Sequence, residues 1–378
     1  MRIALIYLLF AGPALGAPRA FVAAALGDEP ASERPAEARR GEAVHLYATV
    51  ERNGTWYTNA PRLRVGGRLV PPKRLRPLEA LGDPKVAWAL VEPRQHHVDT
   101  RAPNFPNPAY SNNVLFGPQH GKWLGYDTLE YQQTELPDTG PVLTLTEARP
   151  LDARVRGHDG LGTVRYAVRV TAGDAVWQSP DASATQRGGI APRVLRVSFR
   201  RGDDVPGWLT SYFNVPNVFG SAGQGGHNQA ELYQGADCAD VLIGAMRKAG
   251  RKVDYTSVSG LYGFSEVVSP RLWLDPTGLY AITEKGERGD PTTLHFGTDV
   301  RAGDLVAIDY GGLAPTGRTW DHVGMLDTDE GVPGVLDPED PLFHMGFLGG
   351  LERAPLRTHG VVVVQVLRPR ATVRRGPR

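Results

Sequence analysis

Cys238 is the only cysteine in the 378-residue chain, and it is the first candidate for chemistry. It lies within Gly-Ala-Asp-Cys-Ala-Asp, residues 235–240, where an amphipathic run begins. A helix N-terminus carries about half a positive charge, which favours thiolate over thiol and lowers the pKa of a cysteine. The position therefore predicts a nucleophile. The competing interpretation is a small apolar core residue, since unpaired cysteine is often fully buried.

Two histidines downstream have the right chemistry to serve that thiol. A cysteine nucleophile needs an imidazole within hydrogen-bond reach to take its proton and later protonate the leaving amine, and that imidazole needs a second polar group to fix its ring. His322 opens one predicted strand and His344 lies in the next, so adjacent strands would bring the rings together. We expect His322 to be the base and His344 to orient it, with activity falling on both sides of a pH optimum.

One helix and four strands must position these side chains. The helix that starts at Cys238 has its apolar residues on one side, with Asp237 as a suitable N-cap and Gly250 as a suitable end. Strand patterns follow at residues 303–308, 321–326, 341–347 and 361–366. A helix followed by a run of strands predicts an α+β arrangement for the second half of the chain.

The order of these motifs resembles that of the NlpC-type cysteine peptidases of bacterial cell walls, relatives of papain and of the CHAP amidases. The resemblance covers roughly residues 205–366 and rests on Asp-Cys-Ala-Asp-Val-Leu, Gly-Asp-Leu-Val, His-Val-Gly-Met and Phe-His-Met-Gly. It implies a papain-like α+β fold with Cys238 as nucleophile, His322 as base and His344 as the third polar residue. It also implies an amide bond of a peptidoglycan stem peptide as the substrate, and we expect neither cofactor nor metal.

A candidate oxyanion donor lies upstream at Asn217. The segment Val-Pro-Asn-Val-Phe-Gly-Ser, residues 215–221, resembles the family's usual Pro-Tyr-x-Trp-Gly-Gly, whose tyrosine helps to bind the oxyanion. Asn217 stands at the position of that tyrosine, and Phe219 replaces the tryptophan. An asparagine amide is a competent donor, and losing one such donor costs about 3 kcal/mol in the transition state.

The first half of the chain has the pattern of a β domain. Short alternating segments separated by Gly, Pro and Asp turns predict an immunoglobulin-like or related antiparallel sandwich over residues 42–200, after a linker at 28–41. Residues 92–123 depart from the alternation and contain His96-His97. We interpret them as a long loop without a metal site, because neighbouring residues on an extended chain point to opposite faces.

The N-terminus has the pattern of an export signal within residues 1–27. Arg2 precedes a short apolar stretch, and small residues offer cuts before Ala17 or after Gly27. The stretch is too short for a bilayer, which takes about 20 residues, and no later run is long and apolar enough. We therefore expect a periplasmic or extracellular protein without an integral membrane segment.

Composition limits the remaining function classes. The formal net charge is +1, so no global field attracts nucleic acid. The basic end at 368–378 is interpreted as a frayed, solvated tail, and the acidic stretch at 327–330 as solvated turns, because it lacks the spacing of a calcium loop.

These expectations combine into an exported cysteine hydrolase whose catalytic domain spans residues 201–367. It would cleave an amide bond, most directly in peptidoglycan stem peptides, with Cys238, His322 and His344 as the triad. An amidase or acyltransferase using the same three residues is one alternative. A non-catalytic envelope-binding module, in which the thiol is incidental, is the alternative from another class.

Overall fold

The computed structural model describes most of the chain, including every residue of the predicted triad. The described residues are 19–93, 131–137, 140–150, 158–186, 189–218, 221, 229–310, 320–346 and 350–370. The apolar stretch of the predicted signal, the His96-His97 pair, Phe219 and the last eight residues of the basic tail lie outside them.

The prediction of a papain-like α+β domain behind an immunoglobulin-like sandwich is wrong. The structure is mostly β, with 46% strand and 13% helix, and the helical portion of a papain-like fold is not present in the part of the chain that is described. The prediction of a β-rich first half is correct. The pattern of the residues predicts a single helix in the second half. The papain-like fold was inferred only from the order of the motifs, which does not determine how the segments between them fold.

The first half of the chain forms two sheets and a short hairpin. An eight-stranded sheet has the order β7-β6-β2-β1-β4-β5-β8, with β11 also pairing with β4. Its strands are β1 (Arg19–Leu26), β2 (Ala31–Ser32), β4 (Val44–Arg52), β5 (Thr55–Thr58), β6 (Leu63–Val65), β7 (Arg68–Leu69), β8 (Leu75–Arg76) and β11 (Val142–Leu145).

A six-stranded sheet faces it, in the order β10-β9-β12-β16-β3, with β13 beside β12. Its strands are β3 (Ala36–Arg39), β9 (Lys85–Pro93), β10 (Tyr131–Glu135), β12 (Gly162–Ala172), β13 (Ala175–Gln178) and β16 (Leu195–Arg200). The remaining pair is β14 (Thr185–Gln186) with β15 (Gly189–Ile190). Apolar side chains of both large sheets share one core, including Val22, Leu46, Trp88 and Tyr166.

Two details of the first half differ from the prediction. The sheet system begins at β1, and the segment 28–41, predicted as a linker, contains β2 and β3. A signal cut after Gly27 would remove β1, which pairs with β4 along its whole length. The pairs β2–β6, β5–β8 and β3–β16 are parallel, so the sandwich is not purely antiparallel.

The second half is built around one nine-stranded sheet in the order β20-β19-β18-β25-β21-β22-β23-β24, with β17 beside β25. Its strands are β17 (Ser265–Val267), β18 (Leu272–Asp275), β19 (Gly278–Ile282), β20 (Arg288–Pro291), β21 (Leu305–Asp309), β22 (His322–Leu326), β23 (Pro341–Gly346), β24 (Gly350–Pro355) and β25 (Val362–Pro369). The predicted strands at 303–308, 321–326, 341–347 and 361–366 correspond to β21, β22, β23 and β25.

The helices α1 (Val205–Leu209) and α2 (Cys238–Lys248) lie between the sandwich and this sheet in sequence. Helix α2 buries Val241, Leu242 and Met246 against residues of β22 and β23, including Val323 and Phe343. The predicted apolar residues are buried, but the burial is not one-sided, because every residue from Ala239 to Met246 is buried. The packing holds the N-terminus of α2 against the start of β22.

Helix α2 is also tied to the sandwich through charged groups. Glu37 on β3 accepts from Lys248 at 2.5 Å and from Arg196 on β16 at 2.6 Å. The buried guanidinium of Arg165 on β12 donates to the carbonyl of Tyr233, 2.5 Å away. The sandwich therefore helps to fix the segment that carries the cysteine.

Candidate functional site

The thiol of Cys238 lies at the first residue of α2. The side chain of Asp237 caps the helix, as predicted, by accepting from the backbone N–H groups of Ala239 and Asp240 at 3.0 and 2.8 Å. Cys238 is unpaired and half-buried. The backbone amide of Val323, the second residue of β22, lies near its sulfur, so the thiol is beside the strand that begins with His322.

Strands β22 and β23 bring the two predicted histidines together. Nε2 of His322 lies 3.2 Å from Nδ1 of His344, and the rings meet edge to face. The close approach depends on Gly324, which pairs with His344, because a Cβ there would lie 2.5 Å from the side chain of Leu342 and 2.7 Å from the carbonyl of Phe343. The predicted proximity of the rings is confirmed.

A third histidine belongs to the same cluster. The ring of His359, in the turn after β24, lies 4.6 Å from the ring of His344 and 5.6 Å from that of His322, centroid to centroid. Its Nδ1 is 2.7 Å from the hydroxyl of Tyr310, which follows β21. The sequence analysis missed both residues, since neither lies in a motif and only the strand order brings them to the site.

The electrostatics of the site favour neutral groups. Burial raises the pKa of the Cys238 thiol, and the carboxylates of Asp237 and Asp240 raise it further, against the opposing effect of two backbone N–H donors. The pKa of Cys238 is thus raised, opposite to the lowering predicted from its place at the helix N-terminus, and the largest cause is burial. Burial also lowers the pKa of His322 and of His344 to about 3.

These directions favour a thiol and uncharged imidazoles in the resting site over a thiolate–imidazolium pair. Burial lowers the pKa of His359 to about 4, so this ring is also neutral near pH 7. Among the described residues, one hydrogen bond of the cluster joins His322 to His344 and another joins His359 to Tyr310, and none joins the thiol to a ring. Catalytic hydrogen bonds often tighten only when substrate binds.

The candidate oxyanion donor Asn217 lies close to this constellation. Its backbone bridges to Ala236, two residues before Cys238. Its Nδ2 donates to the carbonyl of Gly346 at 3.0 Å, at the end of the strand that carries His344. One amide hydrogen of Asn217 is therefore engaged, and within the described part of the chain no hydrogen bond is recorded for the second.

Glu352 is a further acidic group at the site that sequence reasoning did not select. It lies directly opposite His344 in the β23–β24 ladder, and therefore on the same face of the sheet. Burial raises the pKa of its carboxyl group. Nε2 of His344 has no hydrogen-bond partner within the described part of the chain, so Glu352 does not complete the triad in this arrangement.

Two further properties concern metals and membranes. No group of three His, Cys, Asp or Glu side chains in the described ranges has an arrangement that could hold a metal ion. None of the helices within those ranges has the length and apolar character needed to cross a membrane.

Comparisons with models of protein families, with curated proteins and with solved structures find no match to this chain. The resemblance to NlpC-type peptidases therefore rests on the short motifs themselves, and the chemistry of the site has to be argued from its own geometry.

Proposed function

We propose that this protein is a cysteine hydrolase that cleaves an amide bond, with Cys238 as nucleophile, His322 as base and His344 as the residue that orients the base. The observation that carries the proposal is the 3.2 Å contact between Nε2 of His322 and Nδ1 of His344, beside the only thiol of the chain. Nucleophilic catalysis by a thiol requires an imidazole that can reach it and a second group that holds that imidazole, and the His322–His344 pair, at the strand against which α2 packs, supplies the second of these.

The proposed reaction begins with both groups uncharged. Nδ1 of His322 takes the thiol proton while the sulfur attacks the carbonyl carbon, so that the S–C bond forms and the carbonyl oxygen becomes an oxyanion. The backbone N–H of Cys238 and the second amide hydrogen of Asn217 are the proposed donors to that oxygen. The C–N bond then breaks as His322 returns its proton to the leaving amine.

Hydrolysis of the thioester completes the cycle with the same base. His322 takes a proton from water, the resulting hydroxide equivalent attacks the acyl carbon, and the proton returns to the sulfur as the acid leaves. His344 touches neither substrate nor thiol in this scheme and acts only by holding the ring of His322. No oxidant, cofactor or metal is needed for the balance of atoms and charge.

For the substrate, we propose peptide stems of bacterial peptidoglycan, encountered after export. The support is the motif order around Cys238 and the two histidines, together with the export-like N-terminal sequence. An amidase or acyltransferase would use the same three residues, because the thioester can pass its acyl group to water or to an amine. A binding module without catalysis would need no aligned imidazole pair.

Digestion of purified sacculi separates these possibilities. The full chain, incubated with sacculi, should release fragments with new amino and carboxyl termini inside the stem peptide. Release of the whole stem from the sugar would indicate an amidase instead. Binding to sacculi without release of any fragment, by protein that is folded and carries an intact thiol, would overturn the hydrolase proposal in favour of the binding module.

A further inference from the structure

A cleft of about 630 Å³ lies in the first half of the chain, and none of its lining residues belongs to the Cys238 site. Its walls come from β5 and the loop that follows, and from the stretch that runs from β7 to β8. β7 and β8 are the two outermost strands of the eight-stranded sheet, and residues 70–74 join them, so the two ends of the sheet meet at this cleft. Sites for small ligands commonly measure roughly 300–1,000 Å³. The cleft is therefore large enough for a few residues of a peptide.

The cleft has an apolar base and rigid walls. Ala60 and Val70 belong to a buried apolar cluster of this sheet, and Leu75 packs against that cluster. Leu69 is 55% exposed and adds an apolar group that a ligand can reach. Four of the twelve lining residues are prolines, namely Pro61, Pro71, Pro72 and Pro77. A proline ring fixes φ, so these walls lose little conformational freedom when a ligand binds.

Two arginines, Arg62 and Arg76, are the charged groups that line the cleft, and both are exposed. Each donates to a main-chain carbonyl oxygen, and because a guanidinium has five N–H donors, each keeps donors for a ligand. The side chain of Asn59 is already engaged, since it donates to Glu79 at 3.0 Å and accepts from the backbone N–H of Leu78 at 3.1 Å. The lining therefore offers a ligand positive charge and an apolar surface.

The segment 61–77, which supplies most of the lining, is strongly basic. It has no Asp or Glu and contains six cationic side chains, Arg62, Arg64, Arg68, Lys73, Arg74 and Arg76. The whole chain carries a formal charge of only +1. None of the six forms an ion pair within the described residues, whereas Arg19 in the same sheet is paired with both Glu33 and Glu51. This uncompensated positive charge favours an anionic partner.

We propose that the cleft binds a short acidic peptide, whose carboxylates pair with Arg62 and Arg76 and whose apolar side chains pack against Leu69 and the prolines. A guanidinium can meet a carboxylate with two parallel hydrogen bonds. The lining contains no aromatic ring, so the stacking that holds nucleic-acid bases has no platform here. A neutral glycan would leave both guanidinium groups without a counter-charge. The site goes beyond the proposed hydrolysis and does not depend on it.

Fluorescence anisotropy with a labelled peptide tests the proposal on the full chain. The probe is a short peptide of alternating glutamate and valine, and its reference has glutamine in place of every glutamate. The acidic probe should bind at least about tenfold more tightly than the reference, because only its carboxylates form charge-assisted hydrogen bonds. Its affinity should fall as salt is added, since exposed charges are screened.

Substitutions in the cleft locate the binding site. Arg62→Gln combined with Arg76→Gln should lower the affinity for the acidic probe at least about tenfold, and the double lysine variant, which keeps the charge but not the paired geometry, should lower it less. Leu69→Ser should weaken binding of this probe but not of a peptide of glutamate alone. Arg193→Gln combined with Lys252→Gln is the matched control, because it removes equal charge from exposed residues that form no ion pair in the described ranges, and it should bind like the parent.

Four results would overturn the proposal, provided that circular dichroism shows each variant to be folded. They are equal affinities for the acidic probe and its reference, parent-like affinity in the double glutamine variant, and binding that polyphosphate or Leu69→Ser shows to depend on charge alone. The fourth is binding to vesicles of phosphatidylglycerol without binding to the probe, which would assign the segment to a membrane surface. Since the readout is binding, a parent that binds the probe and hydrolyses nothing would end the proposed function and leave the peptide site standing.

Discussion

Nε2 of His322 and Nδ1 of His344 lie 3.2 Å apart because β22 and β23 are neighbours and Gly324 allows them to approach. One of these nitrogens must donate and the other must accept, since both rings are neutral. When His322 donates, its remaining nitrogen carries a lone pair that can receive a proton from a thiol. The relationship between these two atoms therefore links the strand order to the proposed chemistry.

Replacing the two histidines should distinguish their roles. His322→Ala removes the base and should lower kcat by about 10²–10⁴-fold. His344→Gln keeps a side-chain acceptor for His322 and should retain more of the rate than His344→Leu, which keeps none. Steady-state kinetics of the purified variants, with circular dichroism to verify folding, measure this order. Equal rates for His344→Leu and the parent would remove His344 from the site.

The pH dependence of kcat/KM should be flat across the neutral range. Burial lowers the pKa of His322 to about 3 and raises that of Cys238, so neither group titrates between about pH 5 and 8. The bell-shaped profile expected from the sequence would need a thiolate–imidazolium pair. Rates measured at pH values where the protein remains folded test this, and an acid limb centred near pH 6 would show that the ion pair forms after all.

Stability should fall on acidification because buried histidines must remain neutral. Burial lowers the pKa of His158 and His359 to about 4 and that of His322 and His344 to about 3, from an ordinary value of 6.5. The unfolded chain therefore binds more protons below pH 6.5, and the stabilisation present above that pH is lost as the pH falls towards 4.

Urea unfolding at pH 7.5 and 5.5 measures this effect. The free energy of unfolding should be lower at pH 5.5 by at least about 2 kcal/mol. His158→Phe, which keeps an aromatic ring against Phe213, should reduce the difference, while substitution of the exposed His295 by Gln should not. Equal stability of the parent at the two pH values would contradict the burial of neutral histidines.

The ion-pair cluster between the sandwich and α2 should contribute measurably to stability. Glu37→Gln leaves Arg196, whose side chain is 7% exposed, without its carboxylate partner. We expect a loss of about 1–3 kcal/mol in the free energy of unfolding. Glu33→Gln, which breaks the exposed pair with Arg19, is the matched control and should cost no more than about 1 kcal/mol. Equal losses for the two variants would argue against a role for Glu37 in fixing α2.

The local pattern of the sequence was sufficient to predict the helix that carries Cys238 and the strands that carry His322 and His344. The periodicity after Cys238, the cap at Asp237 and the alternation around His322 and His344 are all determined by neighbouring residues. The papain-like fold failed because it was taken from motif order, which does not specify how residues 251–300 fold. Those residues form β17 to β20 and extend the sheet.

The remaining site residues depend on contacts distant in sequence. His359 and Tyr310 are 49 positions apart, and no local sequence pattern predicts the hydrogen bond between them. The direction of the Cys238 pKa shift could not be predicted from the sequence either, because it depends on how far the folded chain buries the thiol.

Loss of the thiol is the most direct measurement of the central claim. The release of new amino groups from purified sacculi should be measured for the parent and for Cys238→Ala, at equal concentrations of protein verified to be folded. The account predicts cleavage by the parent and none above background for the variant, because the substitution removes the only nucleophilic sulfur and little buried volume. Cleavage at the same rate by both proteins would contradict it.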